Sequence, residues 1–499
     1  MKGKIKSMLI SALCATVAVC SLTACSAGPG YMDGSSSMRP GSMVPEGEPD
    51  NYQTEAVREQ DFVNAAVQPD SYFSLDRNTA SYTYMRKLIN DGHKVSDSSV
   101  RLEEYINYFT YDYVRPDDGA ALALSGTVFD CPWNAEHKLM TVGVAAEEVR
   151  YSDIANNIVF LIDTSGSMYG DDRLGLIQQS FSMLVENLDA ADTVSIVTYA
   201  GDSRTALAGA SGAQKTLIAN VLQDLSADGS TNGQGGIQRA YGVARQYFKQ
   251  GANNRVILAT DGDFNVGASD KHSLESLIRQ ERDSGVYLTV LGVGMHNTND
   301  TTMKTLAENG NGNYAYLDSV GEARKVLVNE LGGTFNVVAK DAKMGVTFNP
   351  ETVDKYRLIG YETKRMSQEE FDDPDKDAGE IGSGHTVTAV YEIALRGYAE
   401  GNNIATCKVR YKVPETDGSD SVQKIVTFDD MTDAPNEDCV FIGCVTEFGL
   451  LLRQSKYAYD ASFGAVMERL NGLNCTGSYG DPFKAEFKTI VTKAMRLYE

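Results

Sequence analysis

The residues best equipped for chemistry are five oxygen donors: Asp163, Ser165, Ser167, Thr231 and Asp261. Asp163 closes the apolar run Ile158-Val159-Phe160-Leu161-Ile162 and hands over at once to two hydroxyls spaced by one residue. Asp261 closes a second such run, "RVILATD", and Thr231 sits in the Gly-rich stretch "GSTNGQGG". In an open parallel sheet, ligands gather at the carboxyl ends of strands, where the strand order reverses. In the order 3-2-1-4-5-6 these two runs are strands 1 and 4, neighbours at roughly 4.8 Å. Two carboxylates that close repel, and one keeps a proton unless a cation lies between them. Every donor is a hard oxygen, with no His or Cys among them, which selects Mg²⁺, Mn²⁺ or Ca²⁺ over zinc or copper. Few full charges and several hydroxyls suit an octahedral ion that keeps waters and leaves one position open. Such a position attracts a carboxylate from a protein partner.

Positioning these donors takes a particular scaffold. Across the centre, continuous apolar runs ("NIVFLID", "TVSIVTYA", "RVILATD", "VYLTVLGVG") alternate with amphipathic segments. The first of these carries Leu174, Ile177, Phe181, Leu184, Val185 and Leu188, a stripe at helical spacing. Strands apolar on both faces and alternating with helices predict an α/β fold with a doubly wound, mostly parallel sheet. The flanks read differently. Residues 71–113 suggest two helical pieces and 119–147 alternate like strands. From about 335 the strand pattern returns ("NVVAKDAKMGVTF", "YRLIGYE", "HTVTAVYEIAL", "ATCKVRYKV", "QKIVTFDD"), and the last sixty or so residues read as helices. Strand signals on both sides of the centre predict one β-rich domain built from both flanks.

With Thr231 and Asp261 at suitable distances on an α/β domain, the Asp163-x-Ser165-x-Ser167 triplet resembles the metal-ion-dependent adhesion site of von Willebrand factor type A domains. By that resemblance Ser165, Ser167 and Thr231 would coordinate the ion directly, and Asp163 and Asp261 would hold it largely through water. The flanking text "ASYTYMRKLINDG", "RLEEYINYF", "CPWNAEHKLM", "GNGNYAYLDSVGEARKVLVNELGGT" and "YRLIGYE" resembles the YfbK-like bacterial lipoproteins with a central type A domain. That likeness runs from about residue 70 onward.

The N-terminus supplies the location. Lys2, Lys4 and Lys6, a short apolar stretch and Leu22-Thr23-Ala24-Cys25 describe a secretory signal, residues 1–24. Leu-Thr-Ala-Cys is similar to the bacterial lipobox, in which the cysteine, here Cys25, is diacylated after cleavage. The expected location is therefore extracytoplasmic and lipid-anchored, with the inner or outer membrane left open. Residues 25–70, rich in Gly, Ser, Pro, Met and acids, read as a flexible tether. As a random coil it would span roughly 35 Å. The net charge of −23 excludes nucleic acid as a partner, since a polyanion would be repelled. Of eight cysteines, Cys131, Cys407, Cys439, Cys444 and Cys475 remain after Cys14, Cys20 and Cys25 are set aside. The odd number leaves at least one thiol unpaired, and no pairing follows from spacing.

Other motifs fall away. "GSTNGQGG" lacks the spacing and lysine of a phosphate-binding loop. The acidic stretch 371–380 puts Ala378 and Gly384 where a calcium loop needs Gly and Glu, so it reads as a solvated loop. No HExxH or GxSxG accompanies His93, His137, His272, His296 and His385, so no catalytic residue is assigned and an enzyme is not expected. Asp263 and His272 near the metal loop are the sole hint of a hydrolase. The boundaries that follow are 71–150 (helical and strand flank), 151–333 (type A domain), 334–430 (β-rich) and 431–499 (helical). The expected function is adhesion of an unknown protein through a divalent cation. The alternative is a structural subunit of an envelope complex that binds without metal.

Overall fold

A computed structural model describes residues 58–499 apart from 76, 118, 150–153, 263–270, 295–299, 331–332, 334–335, 398–401, 415, 417 and 478–479. The signal sequence, Cys25, Asp263 and His296 lie outside the described residues. In chain order β1 (Val63–Asn64), β2 (Asp70–Ser74), α1 (Ala80–Asn90), α2 (Leu102–Ile106), β3 (Leu122–Asp130) and β4 (Lys138–Ala146) precede the central domain. That domain runs β5 (Asn156–Asp163), α3 (Leu174–Glu186), β6 (Thr193–Tyr199), β7 (Ser203–Ser211), α4 (Lys215–Gln223), α5 (Gly233–Gln246), β8 (Asn253–Thr260), α6 (Lys271–Asp283), β9 (Val286–Gly292), α7 (Asp300–Asn309), β10 (Tyr314–Tyr316) and α8 (Val320–Arg324).

The central sheet has the order β10-β9-β8-β5-β6-β7, with all neighbours parallel except the β6–β7 edge pair. β5 and β8 are adjacent, as the two apolar runs require. Both faces are covered, and β5 shows how. Ile158, Phe160 and Ile162 join a core with Ile177 and Phe181 of α3, whereas Val159 and Leu161 join one with Ile237 of α5, Ile278 of α6 and Met303 of α7. A strand with period-two side chains and helices on both faces must be apolar throughout, and every residue of β5 is buried. The edge strand β7 carries no apolar run and shows solvent on most residues, so hydrophobic patterning passes over it.

The flanks do combine. After the centre come β11 (Val337–Phe348), β12 (Val353–Ile359), β13 (Gly379–Gly382), β14 (Thr386–Leu395), β15 (Asn403–Lys412) and β16 (Ser419–Thr427). One sheet has the order β1-β12-β14-β4-β3, joining strands from both ends of the chain. A second has β13-β11-β15-β16, with β2 also on β11. A shared core of Met140, Val142, Met344, Val346, Val387, Tyr391 and Cys407 lies among them. The tether reading of 25–70 needs correction at its end. From Glu59 onward the segment makes fixed contacts: Val63 pairs with Tyr356, Ala65 is fully buried, and the Phe62 ring stands 5.0 Å from that of His137. Charge and Gly content conceal this because the anchoring contacts are made by a few residues to partners far along the chain. The start of the 71–113 segment, expected helical, is instead strand β2.

The C-terminal helices Glu437–Leu452, Phe463–Asn471 and Pro482–Tyr498 pack with α1 and α2 through rings of Tyr82, Tyr108, Phe109, Phe441 and Phe487. Among the described residues no helix is long and apolar enough to cross a membrane. All five remaining cysteines are free thiols, four of them buried.

Between these helices and the central domain runs a buried polar seam. Arg86 of α1 donates to Asp318 Oδ1 and Oδ2 at 2.6 and 2.7 Å, to Glu322 Oε2 at 2.8 Å and to the Tyr108 hydroxyl at 2.7 Å. Tyr108 in turn donates to Glu322 at 2.7 Å. Burial opposes the Arg86 charge, and Glu322, Tyr108 and Asp318 more than offset it, so the guanidinium stays ionised.

Candidate metal centre

Asp163 is the last residue of β5 and is wholly buried at its carboxyl end. Its Oδ1 accepts the Ser165 amide at 2.9 Å, which folds the chain sharply back so that both serines return to the strand end. The two hydroxyls then lie together, Ser165 Oγ and Ser167 Oγ being 3.0 Å apart. Arg173, just before α3, fixes the turn from below by donating to the Ser167 carbonyl at 2.6 Å.

The Thr231 loop is tied to the same rim by backbone. The Gly166 amide donates to the Gly229 carbonyl at 2.9 Å, the Asp228 amide to Thr164 at 2.8 Å and the Asn232 amide to Ala200 at 2.7 Å. Thr231 stands between the second and third of these ties, next to the residue that caps α5. Asn232 caps that helix, its side-chain oxygen accepting the Gly235 amide at 3.1 Å. Two glycines make the approach possible. Gly229 has φ +87°, a left-handed conformation open to glycine, and a Cβ on Gly236 would meet the Tyr199 side chain at 2.8 Å.

Asp261 follows β8 directly and is 4% exposed. Its neighbour Thr260 donates through Oγ1 to Asp163 Oδ2 at 3.2 Å, so the two strand ends are linked through a hydroxyl. Burial pushes the Asp163 carboxyl up to about 6. Hydrogen bonds from Ser165 pull the other way, and the Asp261 charge adds to the rise. No Lys or Arg forms an ion pair with Asp163 among the described residues. Asp163, Ser165 and Ser167 lie together, Asp261 ends the neighbouring strand, and the loop carrying Thr231 is tied to the same rim through its backbone. Thr260, Tyr199 and Arg173 are the partners that sequence reasoning missed. "ATD" places a hydroxyl before the acid, a visible signal for Thr260; nothing local marks the other two.

The residues fit a hard divalent cation. The donors are two carboxylates and three hydroxyls, and among the described residues no group of three His, Cys, Asp or Glu side chains gathers as a metal cluster. A buried carboxylate that holds its proton up to about 6, beside a second acid, is a position where a cation replaces a proton. Of the groups considered for hydrolysis, His272 is exposed and touches Glu275 of its own helix at 3.7 Å. The acidic stretch 371–380 is only partly solvated: Asp372 and Asp377 pair with Arg410 and Arg282, and Glu380 is buried.

Family profiles match three stretches of the chain. That of the von Willebrand factor type A domain matches residues 157–329, one described as von Willebrand factor matches 48–141, and the C-terminal region of YfbK matches 333–402 and 396–497. The central segment is a von Willebrand factor type A domain, a protein-interaction module of the adhesion type. Inter-alpha-trypsin inhibitor heavy chain H2 of Mus musculus is 28% identical over 149 residues, 28% of this chain and 16% of that protein. The solved structure of von Willebrand factor type A from Catenulispora acidiphila aligns at 14% identity with a TM-score of 0.41, covering 70% of this chain and 86% of that one. The protein described as uncharacterized protein YfbK from Escherichia coli (strain K12) is 38% identical over 455 residues, 86% of this chain and 78% of that protein. The chain belongs to the YfbK family.

Proposed function

We propose that this is a non-enzymatic, lipid-anchored binding protein that captures the acidic group of a protein partner at the end of its central sheet. Asp163, Ser165, Ser167, Thr231 and Asp261 would hold a divalent cation there, Mg²⁺ or else Mn²⁺ or Ca²⁺. When bound, the ion supplies an electrophilic position for a carboxylate oxygen. The observation that carries the reading is the Asp163 corner, a buried acid beside Asp261 with paired serine hydroxyls and no ion-pair partner among the described residues.

The chain's own residues do the rest. Thr260 and the Ser165 amide orient Asp163, the glycine loop keeps Thr231 close, and Arg173 holds the Ser167 turn. Tyr169, 81% exposed, stands two residues past Ser167 and offers an aromatic contact to whatever docks. Cys25, through its lipid, would fix the domain to a membrane on the extracytoplasmic side, with residues 26–57 as spacer.

Calorimetry on the full chain with Mg²⁺ and Mn²⁺ tests the site, with Asp163→Ala as control. Saturable heat in the wild type and none in the variant is expected. Proximity labelling in cells then compares wild type, Asp163→Ala and Cys25→Ala. Partners lost from Asp163→Ala support metal-dependent adhesion. Labelling that is unchanged in Asp163→Ala and in EDTA would instead establish a metal-independent assembly subunit.

A further inference from the structure

In the β-rich region, β3 and β16 are outermost strands of their sheets. Each is hydrogen-bonded on one side, β3 to β4 and β16 to β15. Val426 of β16 packs over Gly126 of β3, within 2.6 Å of where a Cβ would stand, yet the two strands do not pair. β3 is the less protected strand. Ala123 to Thr127 are all half-buried, whereas the β4 residues opposite them are buried.

Two hydrogen bonds fix which backbone groups of β3 face outward. The Glu147 amide donates to the Ala121 carbonyl at 2.9 Å on the β4 side, and the Thr432 amide to the Val128 carbonyl at 2.9 Å on the other. Residues of an antiparallel pair alternate between the two sides, so Leu124 and Gly126, like Val128, turn N–H and C=O away from β4. Met431 meets Val128 in a single parallel bridge, and the chain then leaves for the helix Glu437–Leu452. Among the described residues no hydrogen bond takes up the outward groups of Leu124 and Gly126. A bare edge of this kind is a template for another strand. Beside it lies a cleft of about 340 Å³, walled by Val114, Leu124, Asp112, Asp430 and Asp438 among others. Val114 is 72% exposed and offers apolar surface. Asp430 pairs with Lys424 at 3.0 Å and Asp438 with Lys484 at 2.7 Å, while Asp112 is exposed and has no ion pair among the described residues.

We infer that β3 accepts an extended segment of a partner protein as an added strand, one that alternates apolar and basic side chains. The outward N–H and C=O groups of Leu124 and Gly126 supply main-chain bonds, Val114 and Leu124 meet an apolar side chain, and Asp112 meets a Lys or Arg. A second copy of this chain is a poorer occupant. It carries a net charge of −23 and would bring its own Asp112 to the same edge. The inference does not depend on the metal centre.

The test is fluorescence anisotropy of a labelled peptide of alternating Lys and Val with the full, detergent-solubilised chain at physiological salt. Saturable binding that persists in EDTA is expected, at least tenfold weaker when Glu replaces Lys in the peptide. N-methylation throughout the peptide keeps its charges and side chains but blocks strand pairing, and should also cost at least tenfold. Leu124→Pro removes one outward N–H at an edge position, where proline is tolerated, and should weaken binding at least tenfold with the thermal midpoint little changed. Should Leu124→Pro fail to fold, the methylated peptide decides. No saturable binding in the wild type, or binding that survives methylation, overturns the inference. So does a concentration-dependent dimer that Leu124→Pro abolishes, since a second copy would then occupy the edge.

Discussion

Two sets of buried carboxylates in this protein are treated in opposite ways. In the helical seam, Asp318 and Glu322 both accept from Arg86 and Glu322 also from the Tyr108 hydroxyl, at 2.6–2.8 Å, so the chain supplies them with a cation of its own. At the sheet rim, Asp163 accepts from the Ser165 amide and from neighbouring hydroxyls, stands beside an acid, and has no Lys or Arg ion pair among the described residues. The seam is architecture: it clamps α1 and the C-terminal helices to the central domain. At the rim no Lys or Arg pairs with Asp163 among the described residues, which is what the proposed cation site requires. The difference separates carboxylates paired within the fold from one that the proposed function assigns to binding.

Removing Arg86 breaks the comparison from the seam side and carries the largest effect. Arg86→Met leaves two buried acids without their cation and should cost about 3–5 kcal/mol in urea unfolding. A loss under 1 kcal/mol would show that the seam is not what joins the helices. The rim should answer with the opposite sign. Asp163 is raised to about 6 in the folded protein from an ordinary 3.8, so the folded state holds the proton more tightly. The resulting penalty is absent below pH 3.8, grows through the interval, and is complete above pH 6. Asp163→Asn removes it and should stabilise the metal-free protein in EDTA at pH 7.5 by up to about 3 kcal/mol, at 1.36 kcal/mol for each pH unit. The gain should vanish near pH 4. Excess Mg²⁺ should reverse the ranking, because wild type alone gains from the ion. A variant less stable than wild type in EDTA at pH 7.5 would place Asp163 among structural groups like those of the seam.

The smallest expected effect sharpens the distinction between holding the ion and meeting a partner. Tyr169→Ala should leave Mg²⁺ uptake within about twofold and weaken partner capture by roughly tenfold, near 1.4 kcal/mol. If both readouts fall together, Tyr169 belongs to the metal loop and contributes nothing of its own to docking.

How far the sequence reaches follows from the same contrast. β5, β8 and the α3 stripe are visible because both faces of the sheet are buried, which writes unbroken apolar runs into the chain. The exposed edge strand β7, the three-residue β10 and the two-residue β1 carry too little pattern to be read. The first three donor positions come from adjacent text, "DTSGS", and Asp261 from a strand end. Thr260 could have been found; Arg173 could not, since it meets Ser167 only through a turned backbone carbonyl.

The sequence by itself determined the kind of atoms at the rim, their order along the chain and the α/β domain that carries them. Helical and strand periodicity and donor chemistry are local properties, set within a few residues. Tertiary structure alone decided that residues 58–64 leave the tether and lock onto distant strands, with Glu59 and Arg357 paired across 298 residues. It also decided that Arg86 answers Asp318 and Glu322 while neither oxygen of the buried Glu380 has a hydrogen-bond partner among the described residues. Which charges meet depends on the register and packing of segments far apart, and no stretch of the chain records that on its own.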